Sequence, residues 1–353
     1  MAGVKHVHSF AAHDSSGILK PFSFTRRETG PKDVVFKVMH CGICHSDLHQ
    51  IHNDWQSSRY PMVPGHEIVG IVTEVGSEVT KFKADDHVGV GCMVMSCGQC
   101  DSCEKQLEQF CPKVIWTYNS IDLDGTPTQG GFSTLMIANE NFVLHIPDSL
   151  PLDGAAPLLC AGITVYSPMS YYGMNETGKH LGVIGLGGLG HMAAKFGKAF
   201  GLKVTIISTS PNKREEALQN LGADNFLVST DVDALKKASR SIDYIVDTIS
   251  APHDLEQYLE LLTVNGKLAI VGMPIKPYEI LPSTLIFGRR MVGGSVIGSI
   301  RETQEMLNFC ANKNISCTIE KISVDYINTA MDRLNRADVK YRFVIDLETI
   351  QKD

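Results

Sequence analysis

The sequence predicts an α/β protein with two domains, one made mostly of short strands and one built on a doubly wound parallel sheet. The chain has 353 residues, more than a single compact core usually holds. Up to about residue 150 it contains short apolar runs rich in glycine and β-branched residues, which are typical of strands and turns. Beyond that point, short apolar runs alternate with longer segments of helical pattern, which is typical of a parallel sheet covered by helices.

Composition and charge exclude several classes of protein. Hydrophobic residues make up 43% of the chain and charged residues 20%, as in ordinary globular proteins. A net charge of -7 argues against nucleic acid as a partner, because phosphate contacts need clustered lysine and arginine. The first residues contain no apolar stretch of signal-peptide length, and no apolar run is long enough to cross a membrane. We therefore expect a cytoplasmic protein without a membrane partner.

The first region contains a strand and a helix that flank a cysteine-rich segment. A strand over 34–38 leads into Cys41–Asp47, whose sequence is Cys-Gly-Ile-Cys-His-Ser-Asp. A short helix over 46–53 would place Ser46 and His49 on one face, because residues three apart are neighbours on a helix surface. The cysteine-rich segment is therefore expected at the junction of a strand and a helix.

Two cysteines and a histidine from distant segments can converge on one metal ion. His66 lies in a tight turn, Gly65-His66-Glu67, before an apolar strand, and Cys160 lies where an apolar helix is predicted to begin. Thiolates and imidazole are zinc ligands, and three of them with a carboxylate nearby suit a catalytic site that leaves room for substrate. The spacing does not distinguish Cys41 from Cys44 as the first thiolate.

A second group of cysteines lies within a single short segment. Cys97, Cys100, Cys103 and Cys111 can close a tetrahedral zinc site with no open position, which is a structural site. The alternatives are two disulfides, or four buried cysteines without a metal. If the site holds zinc, removal of Cys103 should destabilise the protein without changing its chemistry.

A glycine motif in the second region indicates a dinucleotide site. Gly185, Gly187 and Gly190 follow an apolar strand and open a helix over 189–200, and the next strand is predicted over 203–207. Glycines let the backbone approach a pyrophosphate, and the start of the helix supplies amide donors and a favourable dipole. The alternative is a glycine-rich turn with no ligand.

The remaining elements define the domain organisation. Further strands are predicted over 226–228, 244–247, 268–272 and 291–297. A helix over 302–312 and a strand over 341–346 follow, and this strand is expected to return to the first domain. The prediction is a discontinuous zinc-binding catalytic domain over 1–160 and 300–353, and a dinucleotide-binding domain over 161–299.

The segment after the second strand of the dinucleotide domain favours NADP(H). An acidic residue there would hold the ribose 2′-hydroxyl of NAD and would repel a 2′-phosphate. Instead the sequence offers three hydroxyls, Ser208, Thr209 and Ser210, followed by Lys213 and Arg214. Hydroxyls and cations suit a phosphate dianion. The alternative is a serine-rich turn before a solvated helix.

Together these segments resemble the zinc-dependent medium-chain alcohol dehydrogenases, specifically the plant cinnamyl alcohol dehydrogenase family. The resemblance covers nearly the whole chain and rests on the segments 42–49, 64–67, 97–111, 157–164, 185–190 and 338–343. It implies a GroES-like, mostly-β catalytic domain and a Rossmann domain. It also implies two zinc ions per subunit, NADP as cofactor and a homodimer, with the strand near 291–297 as a candidate edge for subunit pairing.

The resemblance also implies roles for the residues around the first metal. Cys44 rather than Cys41 matches the zinc ligand, together with His66 and Cys160. Glu67 matches an acid beside the metal that can also ligate zinc when substrate is absent, and Asp47 matches the residue that orients His66.

A proton relay and a set of cofactor contacts follow from the same resemblance. Ser46 would hydrogen-bond the substrate oxygen and pass its proton, by way of the nicotinamide ribose, to His49. Residues that match cofactor contacts are Ser46, Thr164, Gly185, Leu186, Gly187, Gly188, Leu189, Gly190, Ser208, Thr209, Ser210, Lys213, Thr248, Gly272, Ser295, Val296 and Ile297.

The implied reaction is reversible hydride transfer between NADPH and a primary allylic or aromatic alcohol or aldehyde. Positions that match the substrate pocket are Gln50, Trp55, Ser57, Cys92, Trp116, Met273, Ser283, Ile286 and Phe287. Trp55, Val296 and the Ile286–Phe287 pair differ from the lignin-type pattern, so a terpenoid alcohol or an alkaloid aldehyde or iminium remains open. A catalytically idle NADPH-binding protein is the alternative of another class. The intact set of Cys44, His66, Glu67, Cys160, Ser46 and His49 argues against it.

Overall fold

The computed structural model describes residues 3–351. The chain divides into two compact units, one formed by Met1–Cys160 with Gly298–Asp353 and the other by Ala161–Ile297. The second boundary lies two residues before the 299/300 boundary drawn from the sequence. No helix among residues 3–351 is long and apolar enough to cross a membrane.

Most strands are short, and a few have eight residues or more. They are β1 (Lys5–Ala12), β2 (Leu19–Arg26), β3 (Asp33–Gly42), β4 (Ile68–Val75), β5 (His87–Val90), β6 (Met93–Met95), β7 (Ile115–Trp116), β8 (Leu135–Asn139), β9 (Leu144–His145), β10 (His180–Ile184), β11 (Lys203–Ser208), β12 (Asn225–Val228), β13 (Ile242–Asp247), β14 (Leu262–Ile270), β15 (Met291–Gly294), β16 (Ile319–Ser323) and β17 (Arg342–Asp346).

The helices are concentrated in the second half of the chain. They are α1 (His45–His52), α2 (Asp101–Glu104), α3 (Leu152–Ala155), α4 (Ala161–Tyr171), α5 (Gly188–Ala199), α6 (Val232–Lys237), α7 (Glu256–Leu259), α8 (Pro282–Ile286), α9 (Ile300–Lys313) and α10 (Ile327–Asn335). A π-helical turn over Glu216–Asn220 and short 3₁₀ turns complete the set.

The first unit is organised around β3, the longest strand of its mixed sheet. The strand order is β16-β17-β3-β4-β5-β9, and β8 also pairs with β3. β8 pairs with the first half of β3, and β17 pairs with its last residues, so the returning strand lies beside Cys41 and Gly42. The core beneath the sheet contains fully buried Phe36, Phe132 and Phe343. Each such side chain contributes about 2–3 kcal/mol through removal of apolar area from water.

The second unit is a six-stranded parallel sheet with the strand order β12-β11-β10-β13-β14-β15. Counted within the unit, this is the order 3-2-1-4-5-6 of a doubly wound dinucleotide-binding fold. Its core contains buried aliphatic side chains such as Ile184, Ile245 and Leu268. The direction of winding reverses between β10 and β13, and ligands of such sheets bind at the carboxyl ends of the strands near this point.

The structure corrects three local predictions. Cys160 lies in a turn (φ -129°, ψ -68°) between a 3₁₀ turn over Ala156–Leu159 and the start of α4, and not within a helix. β14 ends at Ile270 rather than at 272, and β15 ends at Gly294 rather than at 297. The apolar pattern continues across the start of the helix and across the ends of both strands. It therefore does not show these boundaries, because periodicity does not report where a backbone turns.

Candidate active site

Four buried side chains of the first unit form a compact cluster of metal-ligating atoms. Cys44, His66, Glu67 and Cys160, here called the buried cluster, each offer one such atom, and these atoms lie within 4.8 Å of one another. The Sγ atoms of Cys44 and Cys160 are 3.9 Å apart. Tetrahedral zinc with Zn–S bonds of about 2.3 Å would separate two thiolates by about 3.8 Å. The spacing of the thiols therefore fits zinc.

Turns at the ends of strands bring these ligands together. Cys44 lies between β3 and α1, one residue beyond Ile43, while His66 and Glu67 precede β4. Gly65 has a positive φ of 103°, and a Cβ there would lie 2.6 Å from the Phe132 ring. Only glycine satisfies both requirements, which explains the Gly65-His66 pair. Cys41 is buried outside the cluster, where burial raises the pKa of its thiol.

Asp47 holds two residues of the buried cluster, Cys44 and His66, and the neighbouring Gly65 in place. One carboxylate oxygen accepts a hydrogen bond of 2.8 Å from the Cys44 amide. The other accepts one of 3.1 Å from the Gly65 amide and lies 3.2 Å from His66 Nδ1. Asp47 raises the pKa of His66, although burial of the ring opposes the shift. When Nδ1–H donates to Asp47, Nε2 is left as a lone-pair donor for a metal.

Tyr118 supports the same histidine and was missed from the sequence. Its ring stacks on His66 with centroids 5.9 Å apart. Burial and its hydrogen bond to Asp47 raise the pKa of the Tyr118 hydroxyl. No local motif marks this residue, because its partners lie in other segments of the chain.

Glu67 and Arg342 form a buried ion pair beside the thiols. The Glu67 side chain is 0% exposed, and its Oε1 lies 3.3 Å from Nη1 of Arg342. This contact lacks hydrogen-bond geometry, so neither Glu67 oxygen has a hydrogen-bond partner among residues 3–351. Burial raises the pKa of Glu67 to about 7. A buried carboxylate with free lone pairs next to two thiols and an imidazole fits a divalent cation. Arg342 lies in the 338–343 segment, but no role was predicted for it.

The two thiols of the buried cluster behave as a pair. The hydrogen bond from Cys160 lowers the pKa of Cys44 well below the usual thiol value, and the same contact raises the pKa of Cys160. Cys92 also hydrogen-bonds Cys160, which lowers the pKa of Cys92. A divalent cation bound there would hold both sulfurs as thiolates.

Ser46 and His49 both lie on α1, as expected. The Ser46 Oγ is 3.7 Å from the Cys44 Sγ, so the hydroxyl lies beside the buried cluster. His49 is partly exposed, and its Nδ1 lies 2.8 Å from Oδ2 of Asp54. Its ring also contacts Trp55, at a centroid distance of 5.3 Å. Asp54, a partner of His49, was not identified from the sequence.

The other metal-ligating group, here called the four-cysteine cluster, comprises Cys97, Cys100, Cys103 and Cys111. Their sulfurs lie within 4.8 Å of one another, with 3.6 Å between Cys100 and Cys103. All ten cysteines of the chain are free thiols, which contradicts the disulfide alternative. Amides of Cys97 and Lys113 point at the Cys111 sulfur, at 3.4 and 3.3 Å. Four thiols with this spacing fit a closed structural zinc site.

In the second unit, the segment Gly185–Gly190, here called the glycine turn, joins β10 to α5. Gly185 has a positive φ of 88°. A Cβ at Gly190 would lie 2.0 Å from the Gly185 carbonyl oxygen, so the helix could not pack this closely with any other residue. At Gly187 a Cβ would meet nothing within 4 Å, which leaves the backbone open to a ligand. This turn fits a pyrophosphate at the start of α5.

The end of β11 fits a 2′-phosphate. Ser208 is its last residue, and its Oγ accepts a hydrogen bond of 3.2 Å from the Ser210 amide, with Thr209 between them. The half-buried Lys213 donates to the Leu186 carbonyl at 3.0 Å, so its charge lies beside the glycine turn. The Arg214 guanidinium instead lies over the Phe226 ring at 5.1 Å. The segment 208–214 contains no acid.

The other expected cofactor contacts follow three neighbouring strands, apart from Thr164, which is buried in α4. The Thr248 hydroxyl donates to the Ile184 carbonyl at 2.7 Å. Gly272 follows β14, where a Cβ would lie 2.1 Å from the Ile249 carbonyl oxygen. The segment Ser295–Ile297 follows β15, and Ile297 has a positive φ of 38°. The structure thus gathers Thr248, Gly272 and Ser295 at the carboxyl edge of the sheet.

The expected substrate residues lie in both units. In the first unit, Gln50 and Ser57 are joined through Asn119, whose Nδ2 donates to both at 2.6 and 3.3 Å. Trp55 and Trp116 are 36% and 37% exposed. In the second unit, Met273 follows β14. Ser283 and Ile286 lie on α8, and Phe287, which is 81% exposed, directly follows this helix.

Comparison with known proteins gives the family. The alcohol dehydrogenase GroES-like domain model matches residues 30–148, and the zinc-binding dehydrogenase model matches residues 188–312. Cinnamyl alcohol dehydrogenase 8 of Arabidopsis thaliana is 60% identical over 99% of this chain and 97% of its own length. The chain belongs to the cinnamyl alcohol dehydrogenase family of zinc-binding dehydrogenases. This confirms the predicted family and the predicted combination of GroES-like and Rossmann domains.

Two further members show the range of the family. A probable mannitol dehydrogenase of Fragaria ananassa is 60% identical over 97% of this chain and 96% of its own length. The crystal structure of the cinnamyl alcohol dehydrogenase of Helicobacter pylori complexed with NADP(H) superposes on this chain with a TM-score of 0.92. The two sequences are 40% identical, and the match covers 99% of this chain and 100% of the other.

Proposed function

We propose that the protein is a zinc-dependent, NADP(H)-dependent alcohol dehydrogenase that interconverts a primary allylic or aromatic alcohol and its aldehyde. The observation that carries this is the buried cluster, because its donor set and the 3.9 Å separation of its thiols fit zinc. The glycine turn and the acid-free end of β11 supply the second requirement, a site for NADPH. The family and its NADP(H)-bound member support the same conclusion.

Cys44, His66 and Cys160 would hold the catalytic zinc, and Glu67 lies near enough to join them. Zinc, when bound there, acts as a Lewis acid that polarises the substrate oxygen. Asp47 keeps the His66 ring oriented, and Arg342 keeps the Glu67 carboxylate in place. Cys97, Cys100, Cys103 and Cys111 would hold the structural zinc.

Ser46 and His49 would handle the proton of the substrate hydroxyl. Ser46 lies beside the buried cluster and can accept this proton through its Oγ. His49 lies one turn further along α1, where Asp54 occupies Nδ1 and leaves Nε2 to exchange a proton with water. These two residues therefore lead from the buried cluster to the solvent.

NADPH, when bound, supplies the hydride, and Ser208 and Lys213 would recognise its 2′-phosphate. Lys213→Glu places a negative charge where the phosphate dianion is expected. We expect the dissociation constant for NADPH to rise about 100-fold and that for NADH to change less than about threefold. Fluorescence titration with both cofactors measures this. Equal losses for the two cofactors would overturn the assignment of the 2′-phosphate site.

The reaction is tested by NADPH oxidation with pure, zinc-replete protein. The aldehyde panel is coniferaldehyde, sinapaldehyde, geranial and a bulky polycyclic aldehyde, and mannitol with NADP tests the reverse direction, because one relative is called a probable mannitol dehydrogenase. We expect turnover of the aldehydes, with the hydroxycinnamaldehydes fastest. Absence of turnover on the whole panel, with NADPH still bound, would support a non-catalytic NADPH-binding protein instead.

We propose that the protein forms a homodimer through β15. This strand ends the sheet of the second unit, and of the described strands it pairs only with β14, so no strand pairs with its other edge. At the end of β15, the Gly294 carbonyl accepts a hydrogen bond of 3.0 Å from the Tyr172 hydroxyl. Large apolar side chains exposed on the same unit include Val264, Met273, Ile275, Leu281, Ile286, Phe287 and Met291. Analytical ultracentrifugation should give twice the chain mass, and Val292→Pro, which removes an amide from this strand, should favour the monomer.

We propose the cytoplasm as its location and a small molecule, rather than nucleic acid, as its ligand. Ten free cysteines suit a reducing compartment, where thiols are not oxidised to disulfides. The net charge of -7 is unfavourable for nucleic acid. Microscopy of a fluorescent fusion protein tests the location, and a signal from a membrane-bound organelle would contradict it.

A further inference from the structure

A buried carboxylate in the second unit has no part in the proposed reaction. Asp247, the last residue of β13, is 0% exposed. Its Oδ1 accepts a hydrogen bond of 3.1 Å from the Ile249 amide. Its Oδ2 lies 3.0 Å from His253 Nε2 and accepts a hydrogen bond of 3.1 Å from the Tyr278 hydroxyl. Three donors from two different loops therefore converge on one carboxylate.

The histidine of this group is fixed at both ring nitrogens. His253 Nδ1 lies 2.9 Å from the Ala251 carbonyl oxygen, and Nε2 faces Asp247. A carbonyl oxygen only accepts, so Nδ1 must carry a proton. The contact with Asp247 then needs a second proton, on Nε2 or on the carboxylate. With this proton on Nε2, an imidazolium and a carboxylate make a charge-assisted hydrogen bond, which is stronger than one between neutral groups.

The two loops joined by Asp247 are also packed against each other. The Asp247 carbonyl accepts hydrogen bonds from the amides of Val271 and Gly272, at 3.0 and 3.1 Å. The Met273 amide donates to the Ser250 hydroxyl at 3.4 Å. Hydrogen bonds thus join the segment 248–253 after β13 to the segment 271–278 after β14. At the end of the second segment, the Tyr278 hydroxyl donates to the Asp247 carboxylate.

This pair of loops lies where the nicotinamide half of a dinucleotide is expected. The 2′-phosphate end belongs to β11, and the pyrophosphate belongs to the glycine turn after β10. Because the cofactor crosses the sheet at the point where its winding reverses, its other half extends toward the ends of β13 and β14. Thr248 and Gly272 lie at those ends, and Met273 follows them.

We propose that Asp247, His253 and Tyr278 form a clamp that positions the loops carrying Thr248, Gly272 and Met273 against the nicotinamide half of NADPH. These three are positioning residues, and the proposal rests on the proposed function. A structural role alone would not need them, because an apolar side chain in place of a buried polar group often stabilises a fold equally well. The clamp instead fixes loop geometry through directed bonds to charged groups.

The test compares two ligands in three variants. NADPH is titrated by fluorescence, and 2′-AMP, which has the adenine, ribose and 2′-phosphate but no nicotinamide, is titrated by calorimetry. Tyr278→Phe removes one hydroxyl, His253→Leu removes both ring nitrogens, and His253→Gln retains an amide donor toward Asp247. We expect Tyr278→Phe and His253→Leu to weaken NADPH binding about tenfold, as loss of a hydrogen bond to a charged group would, and to leave 2′-AMP unchanged. His253→Gln should recover most of the NADPH affinity.

Two control variants carry the same chemical changes at the opposite end of the sheet. His180 begins β10, and its nitrogens lie 2.8 Å from the Ser241 carbonyl oxygen and 2.7 Å from the Thr205 hydroxyl. Tyr244 lies in the first half of β13. His180→Gln and Tyr244→Phe should leave both affinities unchanged.

The possible outcomes separate the clamp from the proposed function. If the unchanged protein fails to bind NADPH, the proposed function is wrong. If it binds NADPH and all variants bind equally well, the clamp is wrong. Equal weakening of NADPH and 2′-AMP would show a merely structural role and would also overturn the clamp. Should His253→Leu fail to fold, Tyr278→Phe still decides, because it removes a single hydroxyl from a half-buried side chain.

Discussion

The two cysteine-containing clusters of the first unit are built in opposite ways. The four-cysteine cluster takes all its sulfurs from the segment 97–111, and only Cys111 among them is buried. The buried cluster takes its ligands from three distant segments, mixes sulfur, nitrogen and oxygen, and has all four of its residues buried. The first can form wherever that segment bends suitably, whereas the second exists only in the folded domain.

This contrast separates a site that holds the chain from a site that acts on a ligand. Four thiolates satisfy zinc completely and leave no position for another molecule. The buried cluster is supported by Asp47 and Tyr118 behind His66, and by Arg342 behind Glu67. Burial of such a polar network costs free energy. We expect it only where the orientation and charge of the metal-ligating side chains must be controlled.

The largest effect is expected from a change in the buried cluster. Cys160→Ser removes a thiolate ligand, so turnover should fall by about 1,000-fold or more, which corresponds to about 4 kcal/mol of transition-state stabilisation. Elemental analysis should find one zinc per chain instead of two. Cys41→Ala, a change at a buried thiol outside the cluster, should retain both ions and full turnover. A Cys160→Ser protein with two zinc ions and unchanged turnover would contradict the assignment.

Cys103→Ser makes the converse change in the four-cysteine cluster. The protein should lose one zinc and about 4 kcal/mol of stability, because loss of a structural metal belongs to the most destabilising class of changes. Thermal denaturation measures the loss, with Ser102→Ala in the same helix as the control. The folded fraction should keep its turnover. If the variant is stable but inactive, the roles of the two clusters are exchanged.

His49→Ala tests whether the exposed end of α1 takes part in proton transfer. We expect turnover to fall about 100-fold, a common contribution of a positioned acid or base, while zinc content stays at two per chain. His52→Ala, on the same helix, is the control. A parallel loss of zinc would mean that His49 supports the metal rather than the proton.

Asp47→Asn should have the smallest effect of the four, because the amide keeps the shape of the carboxylate but loses its charge. Zinc affinity at the buried cluster should fall about tenfold, which competition with a chelator measures. Asp54→Asn, near the end of the same helix, should leave zinc affinity unchanged. No change in Asp47→Asn would show that orientation of His66 depends on Tyr118 and the backbone alone.

Sequence reasoning succeeded where a local pattern has a local cause. The helix predicted over 46–53 is α1 (His45–His52), and Asn53, which caps its C-terminus, has a left-handed conformation. The parallel sheet and the Gly185 turn were likewise predictable, because periodicity and glycine report local backbone geometry. The family resemblance gave Cys44 over Cys41, which spacing alone could not.

Several of the contacts that were missed join residues far apart in the chain. Tyr118, Arg342 and Tyr278 act through partners in other segments, and their own neighbours in sequence carry no sign of this. Cys160 was assigned to a helix because the apolar pattern around it is continuous, whereas its backbone forms a turn that aims the thiol at Cys44. Such turns depend on tertiary packing, which a single sequence does not display.

Zinc titration of the metal-free protein tests the central claim most directly, with NADPH-dependent aldehyde reduction and metal content followed together. We predict no turnover in the metal-free protein, and full turnover once two zinc ions per chain are bound. Turnover of the metal-free protein equal to that of the untreated protein would contradict the assignment of the buried cluster as the catalytic zinc site.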